Sequence, residues 1–254
     1  MAPGGGTRMN DVLTWLTDSI NWSGPDGIPV RTLEHLKYSL LALGIAAVIA
    51  VPLGLWVGHT GRGKFLAVNL TGALRAVPSL GLLFLALMVL GPRLPGQISD
   101  FVPTIIVLVV LAIPPILAGA YAGVEQVEAA ARDAARGMGM RGGEVLWQVE
   151  VPCALPLIMS GIRSAALQVV ATATLAATVG LGGLGRFLID GLSVRDYGQM
   201  AGGAILIGIL AVLVDFIFAT LQRVVVSPGL TGKTAGRKQA QQSVQRTQLR
   251  ASGS

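Results

Sequence analysis

Five stretches of this chain are apolar for long enough to cross a lipid bilayer: about residues 36–57, 65–90, 101–121, 154–179 and 200–226. Each approaches or exceeds the roughly 20 helical residues that ~30 Å of hydrocarbon requires. Only 13% of the 254 residues are charged, against roughly 25% in soluble domains, too few to coat a soluble core of this size. The expected fold class is therefore an all-α integral membrane protein with about five transmembrane helices.

The second stretch is interrupted around Arg75 and Pro78. Split at Pro78 it gives six spans; kept as one proline-kinked helix it gives five. Charge decides for five. With five spans, Arg62, Lys64, Arg132, Arg136, Arg141 and the six cations from Arg223 onward share one side. Arg8, Arg31, Lys37, Arg93, Arg186 and Arg195 share the other. The positive-inside rule then puts the first group in the cytoplasm and the N-terminus outside. Three parts result: an extracytoplasmic segment 1–31, a transmembrane region 32–226 with a long loop at 122–152, and a basic cytoplasmic tail 227–254 expected to be disordered.

The net charge of +6 does not point to nucleic acid, because the basic tail carries no aromatic residue and is simply explained as membrane-flanking. The single cysteine, Cys153, excludes an internal disulfide and a thiolate metal cluster within one chain. With two histidines besides, no metal site is expected. The first 30 residues lack a basic head followed by an apolar run, so no cleavable signal peptide is expected. A mildly amphipathic piece with Trp15 and Trp22 suits either the membrane interface or an ordinary turn outside it.

Between the third and fourth stretches lies a polar island, residues 133–152 (DAARGMGMRGGEVLWQVEVP). Residues 127–138 are alanine-rich and read as a helix. Gly139 is a suitable stop, because glycine accepts the left-handed conformation at low cost. Gly142 and Gly143 allow a second turn, residues 144–149 read as another short helix, and Pro152 ends it. Small side chains on the first helix let a partner approach closely, which suggests a dock for another protein. An amphipathic hairpin resting on its own bundle is the plainer alternative.

The spacing Asp133-Ala134-Ala135, three residues, Gly139, nine residues, Val149-x-Val151-Pro152 resembles the EAA loop of ABC importer membrane subunits. The family pattern has Glu where Asp133 stands, and Ile and Leu where Val149 and Val151 stand. Residues 77–85 (VPSLGLLFL), 134–140 (AARGMGM), 150–163 (EVPCALPLIMSGIR) and 180–192 (GLGGLGRFLIDGL) narrow the resemblance to the osmoprotectant branch, which takes up glycine betaine, carnitine, choline or proline betaine. The resemblance covers about residues 32–226 and implies a type I ABC importer permease fold. It implies that the island, with Asp133, Ala134, Ala135, Gly139, Met140, Val149, Val151 and Pro152, is the coupling helix docked on a cytoplasmic ABC ATPase. It also implies an extracytoplasmic substrate-binding protein and a second permease subunit, identical or not. ATP and Mg would sit on the ATPase, with no cofactor on this chain. Asp133 has two open roles, contact with the ATPase or capping of its own helix.

Two nucleotide-like strings carry no such chemistry. Gly180-Leu-Gly182-Gly183-Leu-Gly185 matches a dinucleotide fingerprint but follows a membrane segment rather than a strand, so it reads as a re-entrant or gate-like loop. Residues 229–234 (GLTGKT) resemble the end of a P-loop, but Ser227 replaces its first glycine. Arg75, Arg163 and Asp215 stand near mid-depth of their spans, where a charge usually faces a cavity or a partner. With Pro78 and Ser79 they are candidates for the translocation path, although a structural pair between Asp215 and an arginine is the favoured reading of that charge. Three glycine pairs (54/58, 119/123, 198/202) are candidate close helix contacts. No aromatic cluster suited to a quaternary ammonium group appears in the spans, so the sequence leaves the substrate open. The rivals are a permease for methionine or another amino acid, and a self-sufficient secondary transporter or channel.

Overall fold

The computed structural model describes residues 5–226. The chain folds as α1 (Gly5–Thr17), α2 (Ile28–Thr60), α3 (Lys64–Ala76), α4 (Ser79–Leu90), α5 (Ile98–Glu125), α6 (Ala129–Gly137), α7 (Gly142–Val145), α8 (Val151–Thr172), α9 (Gly185–Val194) and α10 (Tyr197–Val225). The tail 227–254, with its P-loop-like string, lies outside the described residues.

α5 is the axis of the bundle. Two-thirds of its apolar window is buried, against 6% for α10, and it packs between α2 and α8. Glycine makes both contacts close. A Cβ on Gly54 would stand 2.5 Å from the Ala120 Cβ, and one on Gly58 2.6 Å from the Val124 Cβ. A Cβ on Gly119 would meet the Leu157 carbonyl oxygen at 2.6 Å, and one on Gly161 the Pro115 carbonyl oxygen at 2.6 Å. Backbones this near exchange dense van der Waals contact, the main attraction available to helices in lipid. All three glycine pairs of the sequence are true contacts, since Gly198 abuts Asp11 and Gly202 abuts the Trp15 indole.

Proline is accommodated inside α5. Pro115 lacks an N–H, so the carbonyl of Leu111, four residues earlier, loses its helical donor. The Gln168 amide of α8 donates to that oxygen at 3.0 Å. Buried polar groups in lipid need such partners, and this one also ties α8 to α5.

Contacts along the helices fix their directions. Tyr38, early in α2, meets Phe101, early in α5, at 5.9 Å between ring centroids. Gly54 and Gly58, late in α2, meet Ala120 and Val124, late in α5. The two helices are therefore parallel, and the chain between them must make an odd number of crossings. The four long apolar helices α2, α5, α8 and α10 thus gain a fifth crossing from α3 and α4 together. The proline-kinked helix expected here is instead two helices bent by 96°. Val77 and Pro78 both adopt extended ψ angles (128° and 115°), because proline disfavours helical geometry in the residue before it and provides no donor of its own.

The N-terminal piece is a helix rather than a turn. α1 lies across α10, with Trp15 edge-on to Phe187 at 5.1 Å.

The bundle makes a selective prediction. Gly54→Ala should destabilise the protein by about 1–3 kcal/mol through overpacking against α5. Gly44→Ala, which meets open space on the same helix, should shift stability by no more than about 0.5 kcal/mol. Thermal melting of the two variants in detergent checks the contrast.

Candidate functional site: the island, the buried pair and the glycine loop

The island folds as two short helices around a tight turn. α6 ends where the Met138 and Gly139 N–H groups reach back to the carbonyls of Ala134 and Arg136, and the Met140 N–H to that of Ala135. Gly139 has φ +87°, a conformation in which a side chain is strained. Past it, the Glu144 carboxylate accepts from the Arg141 N–H at 2.6 Å and starts α7. The expected stop at Pro152 does not occur. α7 passes through a π-turn (Leu146–Glu150) directly into α8, and Pro152 sits in the first turn of α8. The helix continues through this proline, and just before it the π-turn widens the hydrogen-bond step, with the Val151 N–H donating to the Leu146 carbonyl.

Three of the eight predicted docking residues face outward. Asp133, Ala134 and Gly139 are exposed, and so are Met138 and Trp147 beside them. Met140, Val149, Val151 and Pro152 are half-buried. Ala135 is the exception: it is 1% exposed and anchors α6 from beneath. The Asp133 carboxylate does not cap its helix. Its side chain is 73% exposed, and its partner is Arg136, one turn on, at 3.8 Å.

Under the island lies an ion cluster that sequence reading missed. Glu150 is 1% exposed. One of its oxygens is 2.6 Å from Nδ1 of His59 in the last turn of α2. The other is 2.8 Å from Nε of Arg132 on α6, a charge contact without hydrogen-bond alignment. Arg132 Nη2 donates to the Val124 carbonyl near the end of α5. The available signal was an acidic residue directly before an apolar span, and the sequence reading used the two histidines only to exclude metal binding.

In mid-bundle, Arg163 of α8 grips Asp215 of α10 in a two-pronged pair, Nε–Oδ1 2.5 Å and Nη2–Oδ2 2.6 Å. Parallel N–H···O bonds of this kind are directional as well as strong. Of the other path candidates, Pro78 and Ser79 lie on a different helix from this pair. Pro78 and Ser79 open α4, which packs on α5 through Leu83, and the side chain of Arg75 lies outside the described residues.

The glycine loop occupies the end of the bundle opposite the island and wraps the start of α2. The Gly183 N–H donates to Glu34 Oε2 at 2.8 Å, and Arg31 holds the same oxygen at 2.9 Å. A Cβ on Gly182 would fall 2.0 Å from that oxygen, and one on Gly185 2.3 Å from the Thr174 carbonyl oxygen. Gly180, at φ +83°, closes the 3-10 turn Ala173–Val179. Beside the loop His35 is fully buried. Its Nε2 must carry the proton, because it lies 2.9 Å from the Val170 carbonyl, which can only accept. The loop is thus covered by protein, as irregular backbone at membrane depth requires.

Residues 50–228 match the family described as the binding-protein-dependent transport system inner membrane component. This chain belongs to that family. The match takes in the island, the Arg163–Asp215 pair and the glycine loop. Among similar proteins, the glycine betaine/carnitine/choline transport system permease OpuCB of Bacillus subtilis is 33% identical over 224 residues, 88% of this chain and 98% of the relative. The osmoprotectant import permease OsmW of Salmonella typhimurium is 34% identical over 202 residues, 78% of this chain and 92% of the relative. Among solved structures, the MetNI methionine ABC transporter gives a TM-score of 0.66 at 21% identity, covering 77% of this chain and 94% of that one. That likeness concerns the fold alone. The resemblance read from the motifs is borne out: the fold is that of type I ABC importer permeases, and the relatives are osmoprotectant permeases.

The glycine loop gives a test of its packing. Gly182→Ala forces the Glu34 carboxylate off the Gly183 N–H, and Glu34→Gln weakens the same bond. Both should raise hydrogen exchange at Gly183 by about fivefold to tenfold, the worth of roughly 1 kcal/mol. Exchange at Gly180, outside that contact, should stay level.

Proposed function

We propose that this chain is the membrane-spanning subunit of an ABC importer that carries a compatible solute (glycine betaine, choline, carnitine or proline betaine) into the cell. The observation that carries the reading is the island. A pair of short helices turns on a left-handed glycine, exposes small side chains with Met138 and Trp147, and is rooted in the bundle by buried charge. This is a firm surface for a partner rather than a loose linker. The relatives, matched over nearly their full length, supply the solute class.

In this reading a cytoplasmic ATPase docks on Asp133, Ala134, Gly139 and Met140, and the ATP and Mg belong to that partner. Asp133 is free to meet the partner, since it does not cap α6. The island then faces the cytoplasm of a bacterial inner membrane. α1 and the glycine loop face outward, where a substrate-binding protein delivers the solute. A second permease subunit, identical or not, covers the open flank of α10. The Arg163–Asp215 pair, both side chains about one-third exposed, lines the path on the α8–α10 side, and the glycine loop gates its outer end.

Labelled glycine betaine or choline should be taken up at high osmolarity by cells expressing the full system, and labelled methionine should not. Gly139→Trp should abolish co-purification of the ATPase, because the bulky residue is strained at this φ and stands on the docking face. Vesicles that hold this chain alone should not transport; ion-driven uptake in them would replace the reading with a secondary transporter. Asp215→Asn tests the path role. Loss of uptake with normal assembly supports it, and unchanged uptake leaves the pair a structural tie.

A further inference from the structure

We propose that the Glu150 carboxylate is the joint through which movement of the island reaches the membrane helices. This rests on the island being the ATPase dock, and it makes Glu150 a positioning residue for the transport cycle.

The cluster joins four elements at one point. Glu150 stands where the π-turn enters α8; its two oxygens face His59 at the end of α2 and Arg132 on α6. Arg132 also holds the Val124 carbonyl of α5. The His59 ring lies over the start of α7 as well, since a Cβ on Gly142 would be 3.6 Å from its Nε2. The buried side chains of α6 and α7 themselves are apolar, Ala135 and Val145.

Chemistry distinguishes the two kinds of attachment. The apolar contacts of Ala135 and Val145 carry no preferred direction of their own. The Glu150 carboxylate is restrained from two different helices, by a directional contact with His59 Nδ1 on one oxygen and by the Arg132 charge on the other. With 1% exposure, water cannot readily replace either partner, so separating them is strongly unfavourable. A push on α6 or α7 therefore moves the ends of α2, α5 and α8 together. Without the charge, α6 can shift on Ala135 while the membrane helices stay behind.

The test uses the full complex, with the ATPase and binding protein reconstituted in liposomes. ATP hydrolysis and uptake of labelled glycine betaine are measured on the same vesicles. Glu150→Gln keeps the shape and removes the charge. Hydrolysis should stay within about twofold of the unaltered complex while uptake per ATP falls about tenfold, within the range of substitutions along a coupling network. A structural role alone would lower both together, leaving their ratio unchanged, and that outcome overturns the joint. His59→Gln, which spares the Arg132 contact, is the second variant should Glu150→Gln fail to accumulate. Its ratio should fall about threefold, and an unchanged ratio again overturns the proposal. Failure of the docking reading shows separately: no ATPase would co-purify with the unaltered chain, and the joint would fall with it.

Discussion

The architecture depends on backbone-to-backbone contact along α5. Lipid provides no hydrophobic push between helices, so cohesion must come from surfaces that approach closely and polar groups that find partners. Glycines 54 and 58 on one flank, and 119, 123 and 161 on the other, let α2 and α8 reach distances that a side chain would forbid. The contacts set the parallel run of α2 and α5, and that direction in turn leaves α3 and α4 a single crossing to share. Even the Pro115 defect is turned to cohesion, because the oxygen it frees is held by Gln168 of α8.

Polar function is concentrated at the two ends of this apolar frame. At one end buried Glu150 fastens the island, and at the other Glu34 fastens the glycine loop. Each carboxylate is held by a base, and each meets the other end of α2, at His59 and at Glu34 itself. α2 thus runs as a common strut between the island and the covered loop. The Arg163–Asp215 pair lies between them, tying α8 to α10, whose surface is otherwise largely uncovered.

Much of this was legible in the sequence because membrane burial is written in long runs. The spans, the island, its helix stop at Gly139 and the position of the glycine loop at the far end follow from apolar length, glycine chemistry and charge asymmetry. The pairing of Asp215 with Arg163 was one of two open readings, and the geometry of the pair is now clear. The depth of the break at Pro78 was not legible. A proline signals a kink, but whether the chain bends slightly or by 96° depends on Val77 also leaving the helix. Glu150 and Glu34 escaped notice because their meaning lies in partners 91 and 149 residues away, which no local pattern encodes. Pro152 misled for a related reason. Its effect depends on the hydrogen-bond step around it, which the π-turn before it widens.

The π-turn has a consequence for how such a chain can vary. A π-turn is what a helix looks like after taking in one extra residue. From Gly142 to Val179 the chain runs as one helical rod of 38 residues, with the island at its foot and the glycine loop at its head. One residue added or removed along it turns everything beyond by ~100° and shifts it by ~1.5 Å. A substitution between Val151 and Thr172 acts through the contacts of that one side chain, whereas a change of length would turn the glycine loop away from Glu34. The phase between the two ends is therefore set by residue count, and Leu146–Glu150 is where one unit of that count has already been absorbed.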